Sequence, residues 1–341
     1  MRKIVSVISI LIVVVSSLLL TGCGQETASN KKVDIFFPSG NERFVTSGNS
    51  LKDTLEKEGF TVSLQFAGSN DEQAQQIDAV LGKGSGCIVI AAFDSKAIGT
   101  SLEKAKAKNI PIIAYDRLPM DTEAVDYYAT FDNEGIGTAM AKYVENKFNL
   151  KQGAGPYTVE FFQGSDDDNN AVLIDKGMMA VLKPYIDKGQ LVVASGQTGF
   201  RDTTIKSWDG KNAAARMDKL VKTYYTGRNL DILMSASDSI AEGLVDGLAG
   251  AGYNGVQPFI TGQDATPKAL EFVRSGKQGT TMAKSAELLN GKCIRMIKAV
   301  VEGTQPEVND VSTYNNGKIT VPSYLCIPLI LDKENLDEAV K

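Results

Sequence analysis

The 341-residue sequence contains no histidine. That removes Ser-His-Asp and Cys-His catalysis, histidine metal sites and histidine proton shuttles, and leaves paired carboxylates as the route to acid–base chemistry. Cysteine is scarce. Cys23, Cys87, Cys293 and Cys326 show no C-x-x-C spacing, so zinc-binding and thioredoxin-like readings fail. No basic cluster appears and the formal net charge is −5, so nucleic acid is not an expected partner. Tryptophan occurs once, at Trp208. No metal and no cofactor is expected from this inventory. The remaining composition, 43% hydrophobic and 23% charged, is that of a globular chain long enough for two domains of about 100–200 residues each.

What is present begins with Arg2 and Lys3, an apolar run from Ile4 to Leu20, and then Thr21-Gly22-Cys23. Residues 1–22 read as a secretory signal. The cleavage site resembles a bacterial lipobox, in which small residues precede a cysteine that is lipid-modified and becomes the new N-terminus. Cys23 is the expected lipidation site, with the membrane as a partner through that anchor. The apolar run is slightly short for a spanning helix. Residues 23–32 read as a lipidated polar tether.

From Val33 onward, short apolar strands alternate with amphipathic helices. Strands are expected at Val33–Phe37, Thr61–Phe66, Cys87–Ala91, Ile112–Tyr115 and Tyr127–Phe131, with helices between them. The pattern restarts after Asp132: strands at Tyr157–Gln163, Leu191–Ser195, Ile232–Ser235, Phe259–Gly262 and Thr280–Ala283, helices between, then a long helix Glu287–Val301 and a closing strand Leu325–Leu331. A turn is expected at Asn316-Gly317, and Asp332 is expected to cap a short last helix. This cadence predicts an α/β chain with two doubly wound parallel sheets.

Polar groups punctuate the strand ends. Ile112–Tyr115 stops at Asp116-Arg117, Tyr157–Gln163 runs into Asp166 to Asn170, Ile232–Ser235 into Ser237-Asp238, Phe259–Gly262 into Gln263-Asp264, and Thr280–Ala283 into Lys284. The first strand leads to Arg43-Phe44. In open α/β sheets ligands bind beyond the carboxyl ends of the strands. An aspartate accepts and an arginine donates in a fixed fork, a set that suits hydroxyls, which do both. Asp and Asn serve equally well as helix N-caps, but arginine, lysine and phenylalanine do not. The acids Asp166 to Asp168 lack the alternate spacing and closing glutamate of an EF-hand, so a solvated loop is favoured over calcium. Trp208, in a polar loop, offers an apolar face for a sugar ring or for its own domain.

Ala114-Tyr115-Asp116-Arg117-Leu118, Tyr127-Tyr128-Ala129-Thr130-Phe131-Asp132-Asn133, Gly164-Ser165 running to Asp168-Asn169-Asn170-Ala171, and Val321-Pro322-Ser323-Tyr324-Leu325 together resemble the bacterial multiple-sugar-binding, xylose-binding-like members of the periplasmic binding proteins. The resemblance spans Val33 to the end. It implies a type I fold, two α/β domains joined by a three-crossover hinge near Asp132, Lys284 and Tyr324. It places residues 31–132 with 285–322 in one domain and 133–284 with 323–341 in the other. It implies a monosaccharide (an aldose of the xylose, glucose, galactose or arabinose class) held in the cleft and passed to the permease of an ABC importer by a monomer. By the same resemblance Arg43, Phe44, Asp116 and Arg117 line one wall. Asn169 or Asn170, Trp208, Asp238 and Asp264 line the other, with Lys284 at a crossover and Phe44 and Trp208 as two aromatic jaws. Ser237 stands where relatives often carry asparagine, which leaves open the hydroxyl read there, and pentose against hexose. A sensor that presents its closed form to a chemoreceptor or histidine kinase is the alternative. A carbohydrate-active enzyme using Asp116 and Asp264 is disfavoured, because the neighbouring cations keep both acids ionised.

Overall fold

The computed structural model describes residues 30–40 and 42–339. The expected signal, Cys23 and most of the tether lie outside the described residues.

The chain runs β1 (Lys32–Pro38), α1 (Glu42–Lys57), β2 (Thr61–Ala67), α2 (Asn70–Val80), β3 (Cys87–Ile90), α3 (Gly99–Lys106), β4 (Ile112–Tyr115) and β5 (Tyr127–Phe131). A second series follows: α4 (Asn133–Lys147), β6 (Tyr157–Phe162), α5 (Asn169–Asp187), β7 (Leu191–Val192), α6 (Phe200–Thr203), α7 (Gly210–Tyr224), β8 (Ile232–Ser235), α8 (Asp238–Gly250), β9 (Phe259–Ile260), α9 (Pro267–Ser275) and β10 (Thr281–Ala283). The tail adds α10 (Ala286–Val301), β11 (Ser323–Cys326), β12 (Leu329–Leu331) and α11 (Leu336–Ala339).

Six parallel strands form the first sheet in the order β2-β1-β3-β4-β5-β11. β3 and β4 are buried along their whole length, as expected of strands covered on both faces. Successive side chains of a strand point to opposite faces, and the two cores of this lobe divide accordingly. Ile35, Phe37, Ile113 and Tyr115 pack with Leu51 and Leu55 of α1 and Cys293 of α10. Phe36, Ile112 and Ala114 pack with Ile77 of α2 and Leu102 of α3. The second sheet repeats the order with β7-β6-β8-β9. A parallel bridge Gln263↔Met282 leads on to β10, which pairs antiparallel with β12. In both lobes the order reverses beside the first strand, between β1 and β3 and between β6 and β8. Such a reversal opens a crevice at the carboxyl ends.

The chain passes between the lobes after β5, again between β10 and α10, and a third time after β11. The last passage differs from expectation. The strand expected over Leu325–Leu331 is two strands. β11 pairs with β5 in the first sheet and β12 with β10 in the second. Pro328, which has no amide proton to give a ladder, stands between them. Residues 323–326 therefore belong to the first sheet, and the assignment of 323–341 to the second domain is corrected to begin after Cys326. A smaller difference is that β7 is only Leu191–Val192, short of the expected Leu191–Ser195.

Tyr314 secures the first passage. Its buried hydroxyl donates to the Phe131 carbonyl at 2.9 Å and accepts the Asn133 amide at 3.1 Å. Tyr314→Phe leaves that amide unpaired, which costs about 1–3 kcal/mol. The expected result is a lower denaturant midpoint at unchanged slope; an unchanged midpoint would show that the hydroxyl does not hold the passage.

Candidate functional site

Four charged side chains from four parts of the chain meet between the lobes. Arg43, in the first turn of α1, donates through Nη1 and Nη2 to the two carboxylate oxygens of Asp116 at 3.0 and 2.8 Å. Its Nε lies 3.8 Å from Asp264 Oδ1. Lys284, at the second passage, reaches Asp264 Oδ1 at 3.2 Å and Asp116 Oδ2 at 4.0 Å. The 3.2 Å contact is an ion pair whose angle falls short of a hydrogen bond, since Asp264 Oδ1 makes none. Asp116 belongs to the first lobe and Asp264 to the second, so the cluster spans the cleft.

Burial alone would raise the Asp116 carboxyl. Arg43, then Lys284 and Arg117, outweigh it and hold the group well below the usual carboxylate range. Burial opposes protonation of Arg43 as well, but Asp116 and Asp264 raise its pKa further. Asp116 is thus an ionised acceptor, not an acid catalyst.

Backbone conformation aims these groups. Asp116 has φ 60° and Asp264 φ 103°, left-handed values uncommon outside glycine. The Asp116 carbonyl is fixed by Tyr128 Oη, by Thr130 Oγ1 at 3.1 Å and by Asn170 Nδ2 at 3.0 Å. Asn170 therefore joins α5 of the second lobe to the end of β4 in the first. Its Oδ1 accepts from Asn133 at 2.9 Å. Asn169 is half-buried and opens the same helix. Of the pair left open by sequence, Asn170 makes these contacts between the lobes.

Arg117 also crosses the cleft. Its Nε lies 3.0 Å from Asp168 Oδ2, and its Nη1 donates to the Phe93 carbonyl at 3.3 Å. Beside it the Ser95 amide donates to the Asp167 carbonyl at 3.2 Å. These contacts describe a closed arrangement. Phe44 is 1% exposed, with the guanidinium carbons of Arg43 and Arg117 at 5.0 and 5.4 Å from its ring centre. Asp168 and the Phe93–Ser95 loop were not singled out by sequence. Asp168 read as part of a solvated acidic run, yet it caps α5, accepting the Asn170 amide at 2.9 Å, and holds Arg117. The Phe93–Ser95 loop follows β3 under the same strand-end rule that identified the others.

Trp208 sits in a tight turn with φ 56°, following Ser207 at φ 57°. The Ser207 amide donates to Ser165 Oγ at 2.8 Å, and Ser239 Oγ donates to the Trp208 carbonyl at 3.0 Å. The indole lies flush on Gly164, where a Cβ would stand 2.2 Å from its ring carbons. Among the described residues, buried Trp208 Nε1, Gln163 Oε1, Gln263 Oε1 and Ser95 Oγ have no hydrogen-bond partner. Ser95 follows β3, and Gln163 and Gln263 extend β6 and β9 as parallel bridge residues.

Asp238 does not join the cluster directly. Its carboxylate is spent inside its own lobe, on Gln278 Nε2 at 2.9 Å, the Thr266 amide at 3.0 Å and Thr281 Oγ1 at 2.9 Å. Burial, with Asp264 nearby, pushes it up to about 8 against those three donors. Ser237 is the cap of α8, accepting the Ile240 amide at 3.3 Å.

The fold and this geometry agree with comparisons to known proteins. Residues 33–305 match the family model described as a periplasmic binding protein domain. The chain is 39% identical to the multiple sugar-binding periplasmic protein SbpA of Azospirillum brasilense, over 93% of this chain and 90% of that one. It is 40% identical to the multiple sugar-binding periplasmic receptor ChvE of Rhizobium radiobacter, over 92% and 90%. A solved ABC transporter solute-binding protein of Clostridium phytofermentans with bound β-D-glucose superposes with a TM-score of 0.88 at 37% identity, covering 91% of this chain and 96% of that one. The chain belongs to the periplasmic binding protein family and has its type I architecture.

Two outcomes check the site. Gly164→Ala puts a methyl where the indole lies, so the emission of the sole tryptophan should shift to the red as the ring is pushed toward water; an unshifted spectrum would mean the turn absorbs the methyl. The Asp116 carboxylate is stabilised by folding, so it supports the fold above its ordinary value, about pH 4. That support is lost as pH falls toward the depressed folded-state value. The stability gap between the wild type and Asp116→Asn should therefore be widest at neutral pH and close below about pH 4, measured as unfolding midpoints. A gap that persists unchanged at pH 2 would contradict the assignment.

Proposed function

We propose that this chain is an extracytoplasmic solute-binding protein that captures an aldose monosaccharide between its lobes and delivers it to an ABC sugar importer. The observation that carries this reading is the convergence of Arg43, Asp116, Asp264 and Lys284 from both lobes. Family membership supports it, as do relatives named for sugar binding. The family is one of binding proteins, which sets aside the carbohydrate-active enzyme.

The chemistry follows from what each group still has to give. A carboxylate offers about four acceptor directions. Asp116 uses two on Arg43, and the others can take sugar hydroxyl protons. The Lys284 ammonium, a donor only, suits a ring or hydroxyl oxygen. Trp208, from the second lobe, offers the aromatic face that suits the C–H face of a pyranose, while Phe44 backs the two guanidiniums of the first. A sugar contacting both walls favours the closed form, because only there are all its bonds made. The importer would read that form across the rims of both lobes. A sensor partner is the second reading, favoured by the relative that is called a receptor; it shares the sugar step and differs only in what docks. Cys23 is proposed as the lipid-modified residue that ties the protein to the membrane.

Charge-assisted hydrogen bonds contribute about 1.5–3 kcal/mol each. Asp116→Asn and Asp264→Ala should therefore each weaken the best aldose by about 10- to 150-fold, in calorimetric titration after a thermal-shift screen of common pentoses and hexoses. Wild-type protein that is stabilised by no aldose would defeat the reading.

A further inference from the structure

The residue that does not fit the cleft, Asp238, is tied to one that does. It opens α8 and is fully buried. One of its oxygens accepts from Gln278, and the other accepts both the Thr266 amide and the Thr281 hydroxyl. That hydroxyl in turn accepts the Ala265 amide at 3.1 Å. The Asp238 amide donates to the Gln263 carbonyl at 2.8 Å. The turn enclosed by these bonds, residues 263–266, contains Asp264 at φ 103° and Ala265 at φ 53°, two consecutive non-glycine residues in left-handed backbone. Such conformations persist only where their surroundings hold them. Gly262 completes the arrangement: a Cβ there would stand 2.3 Å from both Asp238 Oδ1 and Gln278 Nε2.

Asp264 is the second-lobe acid that meets Lys284 and Arg43. We propose that Asp238 is a positioning residue, not a sugar contact: its carboxyl group, accepting from Thr281 and the Thr266 amide, holds the strained turn that presents Asp264 to the cleft. Three donors and complete burial leave Asp238 no surface for a hydroxyl of the ligand. The inference rests on the proposed sugar-binding function and deepens it, because it removes one expected contact from the site and assigns its effect to another.

A thermodynamic cycle separates the two roles. D-glucose and D-xylose are titrated calorimetrically into the wild type, Asp238→Asn, Thr281→Val, Asp264→Asn and the double variant Asp238→Asn/Asp264→Asn. Positioning predicts that Asp238→Asn and Thr281→Val each weaken binding about tenfold, and that Asp238→Asn costs less than about twofold once Asp264 is already asparagine, because residues acting through one another are not additive. Multiplicative losses in the double variant, or full affinity in Thr281→Val, would overturn the proposal. Monodeoxyglucoses add a readout that a merely structural role would not move. The hydroxyl whose removal cancels the effect of Asp264→Asn should also cancel that of Asp238→Asn, and a different hydroxyl would mark a direct contact. If Asp238→Asn does not fold, Thr281→Val, nearly isosteric and fully buried, carries the same cycle with Asp264→Asn. Wild-type protein that binds neither sugar nor any other aldose in the screen would remove the functional reading itself, an outcome separate from additivity among variants that do bind.

Discussion

The bidentate pair between Arg43 and Asp116 sets the terms for the rest of the cleft. Both groups leave water on folding, and burying either alone is costly. Two parallel N–H···O bonds repay part of that cost and fix the guanidinium plane. They do not exhaust it: Arg43 is also drawn to Asp264, and Asp116 to Lys284. Breaking a buried pair by removing one partner costs about 3–5 kcal/mol because the survivor is stranded. A cluster with two acids and two cations spreads that risk. Each charge keeps an opposite neighbour, so the site can exchange partners with a polyol without leaving a bare ion.

Much of this was legible because parallel strands covered on both faces read as unbroken apolar runs, and such runs stop abruptly. Ile112–Tyr115 stops at Asp116, and β10 stops at Lys284. The two-lobe α/β architecture followed from cadence alone, and the family from four local motifs. What escaped was decided by partners far along the chain. Asp238 stands at a strand end like Asp116, and nothing local distinguishes them. Asp238 turns inward because Thr266, Gln278 and Thr281, remote in sequence, offer it three donors. Asp168 looked like one solvated acid among three, until a cross-lobe arginine claimed it. The split of the last strand at Pro328 was hidden for another reason: β11 and β12 are each apolar enough to read as one run, and only the proline, which cannot serve a ladder, marks the break.

The two lobes use one topology with different contents. Each places its first strand one in from the edge and opens a crevice on the carboxyl side of the order reversal. In the first lobe the crevice carries Arg43, Phe44, Asp116 and Arg117, two cations to one acid. In the second it carries Asp168, Asn170 and the indole, with Asp264 two strands along. Donors facing acceptors make closure electrostatically favourable even between protein groups, as Arg117 with Asp168 and Arg43 with Asp264 illustrate.

That complementarity has a consequence for how a ligand can act. A ligand shifts an equilibrium only by its differential affinity for the two states. If closure already forms ion pairs across the gap, part of the closing free energy is independent of the sugar, offset by desolvation of the same charges, which roughly cancels the Coulombic gain for buried pairs. Closure without ligand is then close to balanced, and the sugar needs to supply little to tip it. Among the described residues, the indole Nε1, the Gln163 and Gln263 amide oxygens and the Ser95 hydroxyl are buried without a hydrogen-bond partner in this form. Unpaired buried polar atoms cost about 1–3 kcal/mol each. Any of these atoms that a polyol reached would be relieved of that cost, so a hinge this nearly balanced can still depend on its ligand.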